Sequence, residues 1–505
     1  MRSLTLVYSL VVFFLLPGSS SRADEPEERR PVFHFTPPKN FINDPNGLVF
    51  LGGEYHLFYQ HNPEGDRWGH MSWGHAVSPD LVRWEHLPIA LREENGIMIF
   101  SGSAVFDSKN SSGLGRPDAP PMIAVYTGEG HKKQTQNLAS SLDRGRTWTK
   151  FAGNPVLDLN SNSFRDPKVF WHKPSRRWIM ATVLADDRKV RLWSSKDLKT
   201  WEKLSDFGPA GSTKGVWECP ELFEAPVEGA SNKESLWVLK VDVNDGAPFG
   251  GSGGQYFVGH FDGKKFLSER TATDPLWIDY GKDFYASQTW NDAPGGKPVW
   301  IAWMNNWQYA NEIPTSPWRG AMTIPRSLAL RKTDDGHRIV QSPVESLKGI
   351  RRRRHKLEGR AIPVGETRLA EPGVEGLAVE IIAEFDHGDA DEFGLKVRCG
   401  DREETLIGVD RAAGTLFVDR TRSGAAGFSP HFAGRHSARL PVGYGSRPIR
   451  IHVIVDATSI EVFADGGRVV LTDQIFPKPS SRGVSLFATG CESHLRSLEA
   501  WDLHP

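Results

Sequence analysis

Residues 75–91 read HAVSPDLVRWEHLPIAL, and two later stretches follow the same plan. Residues 139–157 are ASSLDRGRTWTKFAGNPVL, and residues 192–208 are LWSSKDLKTWEKLSDFG. Each begins on a short strand, passes through Ser-x-Asp, and reaches a Trp at 84, 148 and 201. An Asp that opens a tight turn and an aromatic that closes the hairpin are strand–turn–strand chemistry. VGHFDGKKFLSE (258–269) is a weaker fourth copy, with Phe266 in the Trp position. The Trp residues are 64 and 53 positions apart. A unit of that length with several short strands is the mark of a propeller blade.

A strand precedes each hairpin. GLVFLGGEYHLFYQ (47–60) follows Asn43-Asp44-Pro45-Asn46, and SGSAVFD (101–107) follows Phe100. KVFWHKPSRRWIMATVL (168–184) follows Arg165-Asp166-Pro167. ELFEAP (221–226) and LWVLKV (236–241) follow Glu218-Cys219-Pro220, and FYASQTWND (284–292) leads to PVWIAWMNNW (298–307). These five units predict an all-β fold that opens with a five-bladed β-propeller over 31–345. A large β-sandwich or barrel with accidental similarity is the alternative. Residues 346–365, with four arginines at 351–354, are polar and basic and predict a solvated linker. From 366 to 505 short alternating strands resume, and Asp465-Gly466-Gly467 forms a hairpin turn, so a β-sandwich is expected.

Composition narrows the function. The chain has 505 residues, 61 Lys+Arg against 62 Asp+Glu and a formal charge of −1. That balance argues against nucleic acid or an anionic membrane held by net charge. A hydrophobic fraction of 39%, 24% charged residues and a mean hydropathy of −0.42 describe an ordinary globular protein. Cys219, Cys399 and Cys491 are too few for a disulfide scaffold. After Arg2, residues 4–16 are an uncharged run of 13, followed by PGSSSRA with Ser21 and Ala23 at −3 and −1. This reads as a signal peptide over 1–23, since about 18 to 20 apolar residues are needed to span a bilayer. The mature chain is therefore expected to begin near Asp24, to be secreted or periplasmic, and to carry no membrane span.

Asp44, Asp166 and Glu218 each stand just ahead of a Pro and an apolar strand, and are expected at matching positions of the repeat. Leading strands of a propeller crowd its axis, so acids 122 and 52 residues apart can meet there. Converging carboxylates suit glycosidic cleavage. One attacks or steadies an oxocarbenium-like centre, and another, its pKa raised by its neighbours, protonates the leaving oxygen. No Asp-x-Asp-x-Asp calcium loop occurs, and His61, His70 and His75 lack zinc spacing. Neither a metal nor an organic cofactor is expected.

Six motifs carry a family resemblance. They are Asn43-Asp44-Pro45-Asn46-Gly47, Phe58-Tyr59-Gln60-His61-Asn62-Pro63, Trp73-Gly74-His75-Ala76, Phe100-Ser101-Gly102-Ser103, Arg165-Asp166-Pro167-Lys168 and Glu218-Cys219-Pro220. In this order they resemble glycoside hydrolase family 32, the invertases, inulinases, levanases and fructan exohydrolases. Ser459-Ile460-Glu461-Val462-Phe463 is similar to the signature of that family's carboxy-terminal sandwich. The resemblance implies that Asp44 is the nucleophile, Glu218 the general acid and then base, and Asp166 the stabiliser of the transition state. It implies retention of configuration, with the Asp44 and Glu218 carboxyls about 5 to 5.5 Å apart. It further implies a fructose pocket lined by Asn43, Gln60, Trp68, Phe100, Ser101 and Arg165, with Trp303 a candidate beside them. Taken singly, Trp68 and Trp303 fit blade packing as well as a sugar platform. Cys219 is expected to act as a weakly donating neighbour of the acid.

Residues 303–309 and 314–320 are closer to levanases and exo-acting fructanases than to sucrose-specific invertases. Release of terminal fructose from a β-fructan, levan or inulin, is therefore expected, with sucrose as a side substrate. Endo-fructanase, sucrose-specific invertase, fructosyltransferase, arabinan-type hydrolase and a non-catalytic carbohydrate-binding protein are the alternatives. Linkage preference and oligomeric state are not encoded in any motif.

Overall fold

The computed structural model describes residues 27–230, 234–270, 274–369, 374–386, 388–441 and 444–505. The leader expected at 1–23 lies outside them. The described chain is all-β apart from short 3-10 turns. Five sheets of four or five strands come first, and two six-stranded sheets follow.

The five sheets open on Asn40–Leu51, Met98–Phe106, Phe164–His172, Trp217–Pro226 and Tyr285–Thr289. Each opening strand packs on the next, and the fifth packs on the first, so the sheets form a closed ring. The ring is also tied at its seam. Trp318–Arg319, which follows the second strand of the fifth sheet, pairs in parallel with Asn40 and Phe41 of the first.

The repeated Ser-x-Asp is a self-satisfied turn. Ser78 Oγ accepts the Leu81 N–H at 2.8 Å, and Asp80 Oδ1 accepts the Arg83 N–H at 2.8 Å. Ser195 and Asp197 do the same for Leu198 and Thr200, each at 2.8 Å. Ser141 and Asp143 serve Gly145 and Thr147 at 2.8 and 2.9 Å. Trp148 and Trp201 then donate their indole N–H to the Gly145 and Leu198 carbonyls at 2.9 Å. Local donors are thereby paired without a sheet neighbour.

In the second region the two sheets enclose an apolar layer that includes Ile381, Leu395, Ile407, Val453, Val462, Leu486 and Leu498. The segment expected as a linker does not behave as one. Glu345–Ile350 is a 3-10 turn, and Arg351–Ile362 is a 12-residue edge strand paired with Ser493–Leu503. Its charge is the ordinary protection of a sheet edge. Arg351 lies 3.9 Å over the Trp501 ring and pairs with Glu380 at 2.6 Å, so an arginine stem covers what an apolar residue would.

Buried charges join the two regions. His34 contacts Asp456 at 2.7 Å and Glu461 at 2.9 Å. Glu461 also accepts the Ile324 N–H at 2.8 Å and pairs with Arg326. The Glu of the sandwich signature thus anchors the sandwich to the ring.

Candidate active site

The five opening strands share one irregularity, a β-bulge in which two residues face one on the partner strand. The pairs are Asn43-Asp44 against Gln60, Phe100-Ser101 against Thr127, and Asp166-Pro167 against Thr182. Cys219-Pro220 faces Val241, and Ala286-Ser287 faces Ala302. Bulges turn side chains out of the ladder, and a Pro is tolerated where no ladder donor is needed. Asp166, Cys219 and Ala286, each the first bulge residue, hold left-handed backbone with φ of 60°, 47° and 54°.

This register corrects the expectation that the three acids occupy matching repeat positions. Asp166 is the first residue of its bulge, Asp44 is the second, and Glu218 is the residue before it. The spacing from Pro misleads because Pro45 follows its bulge, whereas Pro167 and Pro220 lie within theirs. The position of Glu218 is taken by Arg165 in the third sheet and Tyr285 in the fifth.

The acids nevertheless meet. Asp44 is buried, with Oδ1 accepting from Asn43 Nδ2 at 2.9 Å. Its Oδ2 accepts from Ser101 Oγ at 2.6 Å and Cys219 Sγ at 3.3 Å. Asp166 Oδ2 accepts the Cys219 N–H at 2.9 Å, and the Asp166 N–H donates to Thr127 Oγ1 at 2.9 Å. Glu218 is the most open of the three, its side chain 22% exposed. Arg165 Nη2 donates to its Oε1 at 3.0 Å, and the Tyr285 hydroxyl donates to its Oε2.

Burial pushes the Asp44 carboxyl up, against the hydrogen bonds from Ser101 and Asn43, and the Glu218 charge adds to the rise. Burial likewise lifts Asp166, to about 7, with Arg165 opposing and Glu218 adding. Burial and like charge act together here, each disfavouring the ionised form of these two acids.

The expected pocket residues divide. Asn43 is buried and its Oδ1 has no partner, an acceptor free for a substrate hydroxyl. Ser101 and Arg165 serve Asp44 and Glu218 directly. Trp68 is 43% exposed at the rim, edge-on to Phe100 with ring centres 6.0 Å apart. Gln60 is buried, and its amide donates to the Ile99 carbonyl at 2.9 Å, so it supports the neighbouring bulge. Trp303 is fully buried against Phe41, Trp307 and Tyr285, and offers no face to a ligand in solution. Its position across the ladder from Tyr285 makes it packing behind that tyrosine.

Tyr285, Lys240 and Asp242 were not anticipated from the sequence. Only the bulge register aligns Tyr285 with Glu218. Lys240 and Asp242 lie on a second strand whose apolar run hides them.

Residues 34–343 match the family profile described as "Glycosyl hydrolases family 32 N-terminal domain", and residues 346–502 match "Glycosyl hydrolases family 32 C terminal". The chain belongs to glycosyl hydrolases family 32. This family 32 hydrolase is 46% identical over 514 residues to a levanase of Bacillus subtilis, covering 99% of this chain and 74% of the relative. It is 39% identical to an extracellular exo-inulinase of Aspergillus ficuum, with 94% of each chain covered. The crystal structure of exo-inulinase from Aspergillus awamori superposes with a TM-score of 0.88 at 36% identity, covering 96% of this chain and 99% of that one. Such likeness identifies an all-β glycoside hydrolase and is consistent with an N-terminal propeller and a C-terminal β-sandwich.

Proposed function

We propose that this protein is a retaining β-fructofuranosidase that releases terminal fructose from a β-fructan, levan or inulin, with sucrose a lesser substrate. The observation that carries the reading is the division of labour among three carboxyls at one point. Asp44 is buried and oriented by three donors, while Glu218 stands at the open side between Arg165 and Tyr285. The levanase and exo-inulinase relatives supply the substrate class.

In this mechanism an Asp44 oxygen attacks the anomeric carbon of the terminal fructosyl unit as Glu218 gives its proton to the departing oxygen. The carbon–oxygen bond electrons leave with that oxygen, and a fructosyl ester on Asp44 remains. Glu218, now ionised, takes a proton from water, whose oxygen displaces Asp44 and restores configuration. Oδ1 of Asp44 carries one donor and Oδ2 two, which leaves Oδ1 the more electron-rich. Asp166 and Asn43 Oδ1 face the sugar hydroxyls in this scheme, and Arg165 steadies Glu218 in its ionised turn. The reaction needs no cofactor.

We also read the five sheets as the blades of a five-bladed propeller over 31–345, with the sandwich following and a leader over 1–23 removed on export. The ring contacts of the opening strands and the apolar run at 4–16 support these readings. Among the described residues no helix is long and apolar enough to cross a membrane.

The test is to incubate the protein separately with levan, inulin and sucrose and to resolve products over time. Free fructose alone from a polymer supports the exo reading, and the rate ratio assigns the linkage. Oligosaccharides would make it an endo-fructanase, exclusive action on sucrose an invertase, and no product from any of the three would remove the assignment.

A further inference from the structure

A wholly buried ion pair lies behind the three carboxyls. Lys240 and Asp242 sit two residues apart on Ser235–Val243, both without solvent exposure. Buried charges are costly unless paired and fully hydrogen-bonded. Lys240 Nζ donates to the Cys219 carbonyl at 3.1 Å, to the Ser287 carbonyl at 2.8 Å and to Asp242. All three ammonium protons are thus used.

Both carbonyls belong to bulge residues, which have left the regular ladder. The ammonium therefore fastens the bulge of the fourth sheet to that of the fifth. Cys219 is also the residue whose N–H holds Asp166 and whose thiol reaches Asp44. Asp242 stands opposite Glu218 in the ladder, and its Oδ1 has no partner. The third strand makes room for it with Gly254, where an added Cβ would lie 2.7 Å from Asp242 Oδ1.

We propose that Lys240 and Asp242 are positioning residues for the fructosidase site. Lys240, hydrogen-bonded to Asp242, locks the Cys219 and Ser287 bulges so that Cys219 holds Asp44 and Asp166 at their working separation. The inference rests on the function proposed above. Burial lifts the Asp242 carboxyl to about 7, Lys240 opposes, and Asp44 and Glu218 add. The titratable groups around it are Lys240 on its own strand, Glu218 and Cys219 on the strand beside it, Asp44 in the first sheet and Tyr285 in the fifth.

The experiment compares Lys240→Met and Asp242→Asn with wild type on whichever substrate yields fructose fastest, measuring kcat, KM and the pH–rate profile. Misplacement of reacting groups predicts a fall in kcat of about tenfold or more, with KM moving less than about threefold. Asp242→Asn leaves a cation unmatched and should move both limbs of the profile to lower pH. Lys240→Met leaves an acid unmatched and should move them to higher pH, each by about half a unit or more. Arg351→Met is the control. It breaks a pair with Glu380 at 2.6 Å in the second region, away from the three carboxyls. It should lower the melting temperature and leave the profile where it is.

Unshifted profiles in Lys240→Met and Asp242→Asn, or wild-type kcat in both, would overturn the proposal. If Lys240→Met does not fold, the near-isosteric Asp242→Asn carries the same test alone. A wild-type enzyme that releases no fructose removes the function and this inference together. An active wild type with unshifted variants removes the inference only.

Discussion

Cys219 bridges two acids of the site, giving its backbone N–H to Asp166 at 2.9 Å and its thiol to Asp44 at 3.3 Å. Burial pushes the Cys219 thiol well up, and the neighbouring carboxylates push it further, so it remains a protonated donor. Cys219→Ser should keep kcat within about threefold, because a hydroxyl replaces the donor. Cys219→Ala retains the backbone bond and loses the side-chain donor. Its kcat should fall about tenfold, and the acid limb of its pH profile should rise as Asp44 loses a bond to its ionised form. Steady-state kinetics from pH 4 to 9 check both.

Asp44→Asn should fold normally and lose on the order of 10^4-fold or more in kcat, since the attacking group is gone. Circular dichroism together with fructose release checks this, and wild-type turnover would end the assignment. Glu218→Gln should lose most on natural substrates, where the leaving oxygen needs a proton, and far less on an activated fructoside. Equal losses on both would assign Glu218 another role.

Asp166 offers a stability test with a definite sign. Its folded pKa is raised from 3.8 to about 7, so the folded state binds the proton more tightly than the unfolded one. Stability therefore falls as pH rises through that window. Asp166→Asn removes the penalty and should raise the melting temperature at pH 8 by about 2 °C or more, with little change at pH 4. Activity should drop in the same variant. Scanning calorimetry at the two pH values decides it.

His34 has the same slope with pH, but as a stabilisation lost at high pH rather than a penalty gained. Burial alone would lower its pKa, but hydrogen bonds to Asp456 and Glu461 raise it from 6.5 to about 9. The stabilisation is complete below pH 6.5 and is lost as pH rises through 9. His34→Gln should lower the melting temperature markedly at pH 6, and the difference should shrink by pH 9.5. A constant difference across that range would mean that packing, not charge, holds the two regions together.

Much of this protein can be read from one dimension. The Ser-x-Asp…Trp repeat marks three of the strand-rich units because its hydrogen bonds are local, made within a few residues of Ser78, Ser141 and Ser195. Asp44, Asp166 and Glu218 stand out for the same reason, each beside a Pro at the head of an apolar strand. The strand at Arg351–Ile362 does not stand out, because its arginines cover Trp501 and pair with Glu380, and charge conceals its period.

Only the tertiary structure decided how the site is assembled. Bulge register is a relation between strands, so the three different bulge positions of the acids, and the place of Tyr285 beside Glu218, have no counterpart in local spacing. Burial did the rest. It withdrew Trp303 from the pocket and made a structural member of it. It also brought Lys240 and Asp242 behind the carboxyls, where one ammonium holds a bulge carbonyl of the fourth sheet and one of the fifth.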